Sequence, residues 1–434
     1  MPQTQTIGLI RAIGRWSLAA LTINSVIGSG IFRLPADVAA LTGSWSPAVV
    51  LIAGAATGII MLCFAELASY FRDAGGPYLY AREAFGRLMG LEVGWLLWLA
   101  QLSACAANAN LFVIYLVQFW PQASHPISRL LIVTLLILFL TLVNYRGVRG
   151  GARLSNAFTI AKLLPLTLLV GTGIVYHLMN HQAAAAKPLP AGGDAWLNGI
   201  LLMFFAYGGF ETALVPMSEA KHPQRDAVFA LVVALATTAV IYTLIQWAVV
   251  HILPDPLISR RPLAEVASIT LGGWGAILVG LGALISCYGY LSAKALSVPR
   301  ITLALAEEGD FPKIFGSIHA RFHTPYFSIL VFAVLTWLLA LLGSFSWNAT
   351  LSAVSRLFYY AAGCAALPIL RKKRPGQARF RLRGGVSIAC LGIAVSLVLV
   401  TRVDMSKSLI LLAVVMLAFL NWLWVCCTPS VSRK

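Results

Sequence analysis

The residues best suited to hold a small molecule are Ile27-Gly28-Ser29-Gly30-Ile31-Phe32, near the middle of an apolar segment, residues 16–41. Each glycine costs about 1 kcal/mol against alanine in a helix interior. In lipid the interruption is worse, because the freed backbone groups find no water. A split helix ends its first half in carbonyls, which suit a cation. It starts its second half in amides, which suit an anion. One break therefore offers partners to both ends of an amino acid. The triplet Gly28-Ser29-Gly30 also lets helices approach closely, so the break alone leaves a packing role open. Phe205-Ala206-Tyr207-Gly208-Gly209-Phe210-Glu211 interrupts a second segment, residues 196–219, the sixth of the chain. Paired breaks in corresponding positions of two halves point to a transport site at the membrane midplane.

The elements that must position these breaks follow from composition. The chain has 434 residues, 59% hydrophobic and 11% charged. That is too apolar for a soluble protein and predicts an all-α, polytopic membrane protein. At about 20 residues per crossing, twelve spans are expected, near 16–41, 46–71, 90–120, 127–146, 154–177, 196–219, 226–253, 272–306, 325–344, 349–370, 385–402 and 407–428. The loops leave no room for a soluble domain, and no cleavable signal peptide is expected.

The net charge of +17 does not signal nucleic-acid binding. With the N-terminus inside, 22 of the 32 Lys and Arg fall in cytoplasmic segments and six in outer loops. The remaining four, Arg33, Lys162, Lys294 and Arg356, lie within helices. This positive-inside bias places both termini in the cytoplasm of a cell (inner) membrane protein. The basic run 371–383 reads as a cytoplasmic loop able to touch anionic lipid. The seven cysteines all fall in apolar segments, read as small buried hydrophobes, and none has metal-ligand spacing. No histidine is mid-span, and no zinc-protease, phosphate-loop or nucleophile-elbow motif appears. No enzyme activity, cofactor or metal is expected.

Ionisable groups inside spans need partners. Lys162 lies about eight residues into the fifth span. Glu211 is the acid nearest the centre of a span, and a carboxylate there can carry a proton or serve structurally. Arg33 and Asp37, four apart, can pair on one helix face.

Gly28-Ser29-Gly30-Ile31-Phe32, the turn Gly75-Gly76-Pro77-Tyr78, Phe205 to Glu211, and the loop Glu219 to Arg225 together resemble the amino acid–polyamine–organocation superfamily of permeases. The resemblance covers nearly the whole chain. It implies a leucine-transporter-like fold, with helices 1–5 (16–177) and 6–10 (196–370) as inverted repeats, helices 1 and 6 discontinuous, and helices 11 and 12 (385–428) peripheral. It further implies that the amides of Ser29, Gly30 and Ile31 hold the substrate carboxylate. The carbonyls of Val26, Phe205 and Gly208 would hold its ammonium. Ile27, Gly28, Ala206 and Tyr207 complete the breaks, and Phe205 stands where relatives carry an aromatic gate. Lys162 matches a lysine that replaces sodium in sodium-independent relatives, and Glu211 is a coupling candidate. Lys294 departs from the pattern, falling where several relatives place a pocket aromatic. The excess of mid-membrane cations disfavours arginine, agmatine and polyamines.

The expected function is an alternating-access amino acid transporter, sodium-independent, proton-coupled or exchanging, for neutral or acidic amino acids. Two other readings stay open: a cationic amino acid or polyamine exchanger, and a non-transporting receptor or partner-dependent subunit.

Overall fold

The computed structural model describes residues 14–71, 76–146, 151–180, 192–211, 214, 223–256 and 258–427. Gly75, most of the loop from Glu219 to Arg225, the turn 147–150 and the end of the sixth segment lie outside these residues. The described residues form fifteen α-helices and no strand.

The first apolar segment is two helices, α1 (Arg15–Val26) and α2 (Gly30–Thr42), as its glycines require. The second span is α3 (Ser46–Tyr70), with Pro47 in its first turn, where a missing amide costs nothing. A short helix, α4 (Gly76–Phe85), leads into α5 (Arg87–Leu116). Then come α6 (Pro126–Arg146) and α7 (Gly151–Met179). The sixth segment opens as α8 (Gly193–Tyr207) and stops at the glycine pair. It is followed by α9 (Pro223–Ile252), α10 (Pro262–Leu271) and the long α11 (Gly273–Glu307). The last helices are α12 (Tyr326–Leu342), α13 (Phe345–Lys373), α14 (Gly385–Val400) and α15 (Met405–Cys427). The expected spans match these helices within a few residues. The exceptions are the sixth, expected to Glu219 but helical only to Tyr207 with most of the rest outside the described residues, and α10, a ten-residue helix where only a loop was expected. Eight helical stretches among the described residues are long and apolar enough to cross a membrane, and α10, α12 and α14 are shorter apolar helices.

The helices pair in a regular way. α3 packs on α9, α5 on α11, and α6 on α12. These are the second span with the seventh, the third with the eighth, and the fourth with the ninth. α1 packs on α9 as α8 packs on α3, and α1 on α7 as α8 on α13. α5 packs on α13 as α11 packs on α7. Exchanging each of the first five spans with the one five places later therefore maps these contacts onto one another. α5 is buried over most of its length from Gly90 to Tyr115, its polar Gln101, Ser103, Asn108 and Asn110 included. In contrast, α6 and α15 expose Leu131, Leu135, Leu138 and Leu142, and Leu409, Leu412, Met416 and Leu420. Those rows, spaced three and four residues apart, face outward, where lipid replaces protein.

The cysteine expectation holds in part. Cys63, Cys105, Cys287 and Cys364 are buried, but Cys390 and Cys426 are exposed, because α14 and α15 turn one face out of the bundle.

One buried ion pair was not foreseen. Glu66 of α3 is fully buried and accepts from Arg371 Nε and Nη2, each at 2.7 Å. It also accepts from the amide of Leu382 at 2.8 Å. Two fork-shaped bonds plus a backbone donor offset its desolvation. The cluster ties α3 to the end of α13 and the chain leading to α14. Removing the carboxylate leaves a guanidinium without its partner, so Glu66→Ala should destabilise the protein by about 3 kcal/mol. A thermal-unfolding series in detergent checks this; an unchanged melting temperature contradicts it.

Candidate functional site

At the first break α1 ends with Ile27 at φ −74° and ψ 89°, outside helical values. The amide of Gly28 bonds the carbonyl of Val26 at 2.8 Å, a turn too tight to continue the helix. α2 restarts at Gly30, so the amides of Gly30 and Ile31 have no preceding turn to bond. Ser29 is fully buried, and its hydroxyl has no hydrogen-bond partner among the described residues.

At the second break α8 ends at Tyr207, and Gly209 adopts φ +110°, a conformation that favours glycine. The two breaks touch. A Cβ on Gly209 would lie 2.3 Å from the carbonyl oxygen of Ser25. One on Gly30 would lie 2.9 Å from the Cα of Ala206 and 3.3 Å from the Phe205 ring. The start of α2 therefore abuts the end of α8, so an anion-seeking helix end sits beside a cation-seeking one.

Side chains from other helices satisfy the freed carbonyls. Lys162 of α7, 1% exposed, donates to the carbonyls of Asn24 at 3.2 Å and Ile27 at 3.0 Å. Ser286 of α11 lies 3.4 Å from the carbonyl of Gly28. Tyr242 of α9 reaches the carbonyls of Val26 and Ala206, each at 3.4 Å, and so bridges both broken helices. Arg356 of α13 donates from Nη1 to the carbonyl of Phe205 at 3.3 Å, with its guanidinium 5.9 Å from the Phe205 ring centre. Of the three carbonyls expected to hold an ammonium, those of Val26 and Phe205 thus face Tyr242 and Arg356.

Glu211 is buried at the second break. Its carboxylate accepts from Tyr359 at 2.8 Å, Tyr360 at 3.0 Å and the amide of Gly209 at 3.0 Å. Gln101 Nε2 lies 3.4 Å away, and Arg356 Nε is 3.7 Å from Oε1. Lys294 of α11 is 2% exposed and lies 5.1 Å over the Tyr290 ring. It does not reach the surface of the bundle. The hydroxyl of Tyr207 turns away, donating to the carbonyl of Val50 at 3.1 Å. Val26, Ile27, Gly28, Ser29, Gly30, Ile31, Phe205, Ala206 and Gly208 thus gather at one place, with Lys162, Glu211 and Arg356 around them. Arg33 and Asp37 pair at 2.9 Å farther along α2, where Arg33 also donates to the carbonyl of Ser259. Tyr242, Tyr359 and Tyr360 carry no sequence signal of their own, since tyrosine is common in apolar helices. Their positions depend on which helices meet.

Polar contacts close both ends of the bundle. At one, Ser346 donates to Asp37. At the other, Tyr78 of α4 donates to Asp310, Arg87 pairs with Asp310 at 2.6 Å, and Arg82 pairs with Glu308 at 2.8 Å. Burial first, and then the bond to the Asp310 carboxylate, holds the Tyr78 hydroxyl above its ordinary pKa.

Two substitutions probe this geometry. Tyr242→Phe removes one hydroxyl shared by both broken helices and should cost about 1 kcal/mol in stability or ligand affinity, read by melting with and without ligand. Gly30→Val should abolish ligand-induced stabilisation, because its side chain fills the contact with Ala206; full retention of that stabilisation places the site elsewhere.

The chain is 30% identical to an uncharacterized transporter of Mycobacterium tuberculosis, over 85% of this chain and 82% of that one. It is 26% identical to the serine/threonine exchanger of Bacillus subtilis, over 87% of each chain. It is 28% identical to the arginine/agmatine antiporter of Chlamydia felis, over 78% of this chain and 72% of that one. A family model described as amino acid permease matches residues 13–421, nearly the full length. With its interrupted, multi-pass helical bundle, the chain belongs to the amino acid permease family.

Proposed function

We propose that this permease is a secondary active transporter that binds a small amino acid between the two breaks and moves it by alternating access. The observation that carries the reading is the direct contact of the breaks, with Gly209 against Ser25 and Gly30 against Ala206. The amides of Ser29, Gly30 and Ile31 take the carboxylate. The carbonyls at the ends of α1 and α8, from Val26, Phe205 and Gly208, form the pole that attracts its ammonium. Phe205 is the gate beside the ligand, and Lys294 borders the pocket. The reciprocal packing of spans 1–5 and 6–10 supports two inverted repeats, 16–177 and 196–370, with α14 and α15 peripheral. The positive-inside count supports cytoplasmic termini in the cell membrane.

Sodium independence is part of the proposal. The Lys162 ammonium bonds two carbonyls of α1, the kind of oxygen a sodium ion would use. A fixed cation there makes a mobile one unnecessary. Coupling then falls to a proton or to exchange of one amino acid for another. Glu211 is the proton candidate, although its four donors also suit a structural role.

Neutral or acidic amino acids fit best, since three cations, Lys162, Lys294 and Arg356, are buried in the core and Glu211 is the acid at the breaks. A cationic substrate is the second reading, favoured by the similarity to the arginine/agmatine antiporter. Reconstituted vesicles separate these. Replacing sodium by choline should leave uptake unchanged, whereas its abolition overturns sodium independence. Tight, saturable arginine uptake favours the second reading. Binding without counterflow in a radiolabel-exchange assay indicates a receptor instead.

A further inference from the structure

The ammonium end of the proposed site already contains a cation. Arg356 Nη1 donates to the carbonyl of Phe205 at the end of α8, where the helix dipole favours positive charge. The guanidinium covers the adjacent glycine so closely that a Cβ on Gly208 would lie 1.4 Å from Nη1. An ammonium bound to the carbonyls of Phe205 and Gly208 would have to share that space. Guanidinium stays protonated in proteins, so it yields only by moving. Lys294, buried on the neighbouring helix, adds a second positive charge. Two like charges in a low-dielectric site repel strongly.

Glu211 is the place for Arg356 to move to. Arg356 Nε stands 3.7 Å from Glu211 Oε1 and has no hydrogen-bond partner among the described residues, so the pair is close but not closed. At the opposite pole, the first amides of α2 and the unpartnered, fully buried Ser29 hydroxyl remain suited to a carboxylate.

We infer that Arg356 and Glu211 set the substrate class: besides amino acids, the site takes as readily a small carboxylate whose second group is an uncharged hydrogen-bond acceptor, such as a 2-hydroxy or 2-oxo acid. The corresponding 2-amino acid enters only when Arg356 swings from the Phe205 carbonyl onto Glu211. This rests on reading the two breaks as the site and refines its ammonium end. The acceptor group takes the bond from Arg356, while the amino group must displace it. Arg356 is then a specificity-determining residue and Glu211 a positioning residue acting through it.

The test is a set of matched ligand pairs on the purified full-length protein in nanodiscs: L-serine with glycerate, L-alanine with lactate, and L-glutamate with 2-hydroxyglutarate, measured by calorimetry. The wild type should bind the hydroxy acid of at least one pair no more weakly than its amino acid. Arg356→Met should move that ratio about tenfold toward the amino acid. Glu211→Gln should move it the other way, because Arg356 then loses its alternative partner. If Arg356→Met does not fold, the direction of the Glu211→Gln shift decides. Ratios unchanged in the folded variants, or a wild-type preference for every amino acid of more than about tenfold, overturn the inference while leaving the carrier reading intact. A well-folded wild type that binds no member of any pair overturns both the inference and the site on which it rests.

Discussion

Everything in this bundle depends on keeping a broken backbone satisfied where water is scarce. Two helices stop near mid-span, and each stop frees carbonyls and amides that lipid cannot bond. The protein answers with side chains fixed on other helices. Lys162 covers the end of α1, Tyr242 joins α1 to α8, and Arg356 covers the end of α8. These bonds hold the breaks against each other. They leave the amides at the start of α2 without a preceding turn and the Ser29 hydroxyl without a partner among the described residues.

Charge follows the same logic. Lys162, Lys294 and Arg356 are almost fully buried, and Glu211 is the acid among them. Each cation lies against a carbonyl end, a carboxylate or an aromatic face, the environments that tolerate it. The Glu66–Arg371 pair is different in kind. It lies away from the breaks, is doubly hydrogen-bonded, and joins the cytoplasmic loop expected at 371–383 to α3. One set of buried charges surrounds the backbone interruptions, and the other secures a helix end.

The breaks are held by several hydrogen bonds of 3.0 Å and more, most of them from side chains able to change partners. Arg82 of α4 and Arg87 of α5 pair with Glu308 and Asp310 just past α11, whereas Arg33 and Asp37 pair within α2. The Arg82–Glu308 pair, exposed on both sides, contributes little by itself.

Much was legible in the chain itself. Apolar runs of bilayer length marked the spans, because the hydrocarbon thickness dictates that length. Glycine pairs at Gly28-Ser29-Gly30 and Gly208-Gly209 marked both breaks, because glycine is what a helix interior tolerates least short of proline. Lys162 and Glu211 stood out because charge is rare in a span. Only the tertiary structure decided that Tyr242, Tyr359 and Tyr360 reach the breaks, that Glu66 meets Arg371, and that Arg356 lies on the Phe205 carbonyl. Those pairs are separated by 36 to 305 residues, and nothing local records which distant helix face they will meet. Backbone chemistry and bilayer thickness act residue by residue and can be read in order; the choice of partner comes from packing the whole bundle.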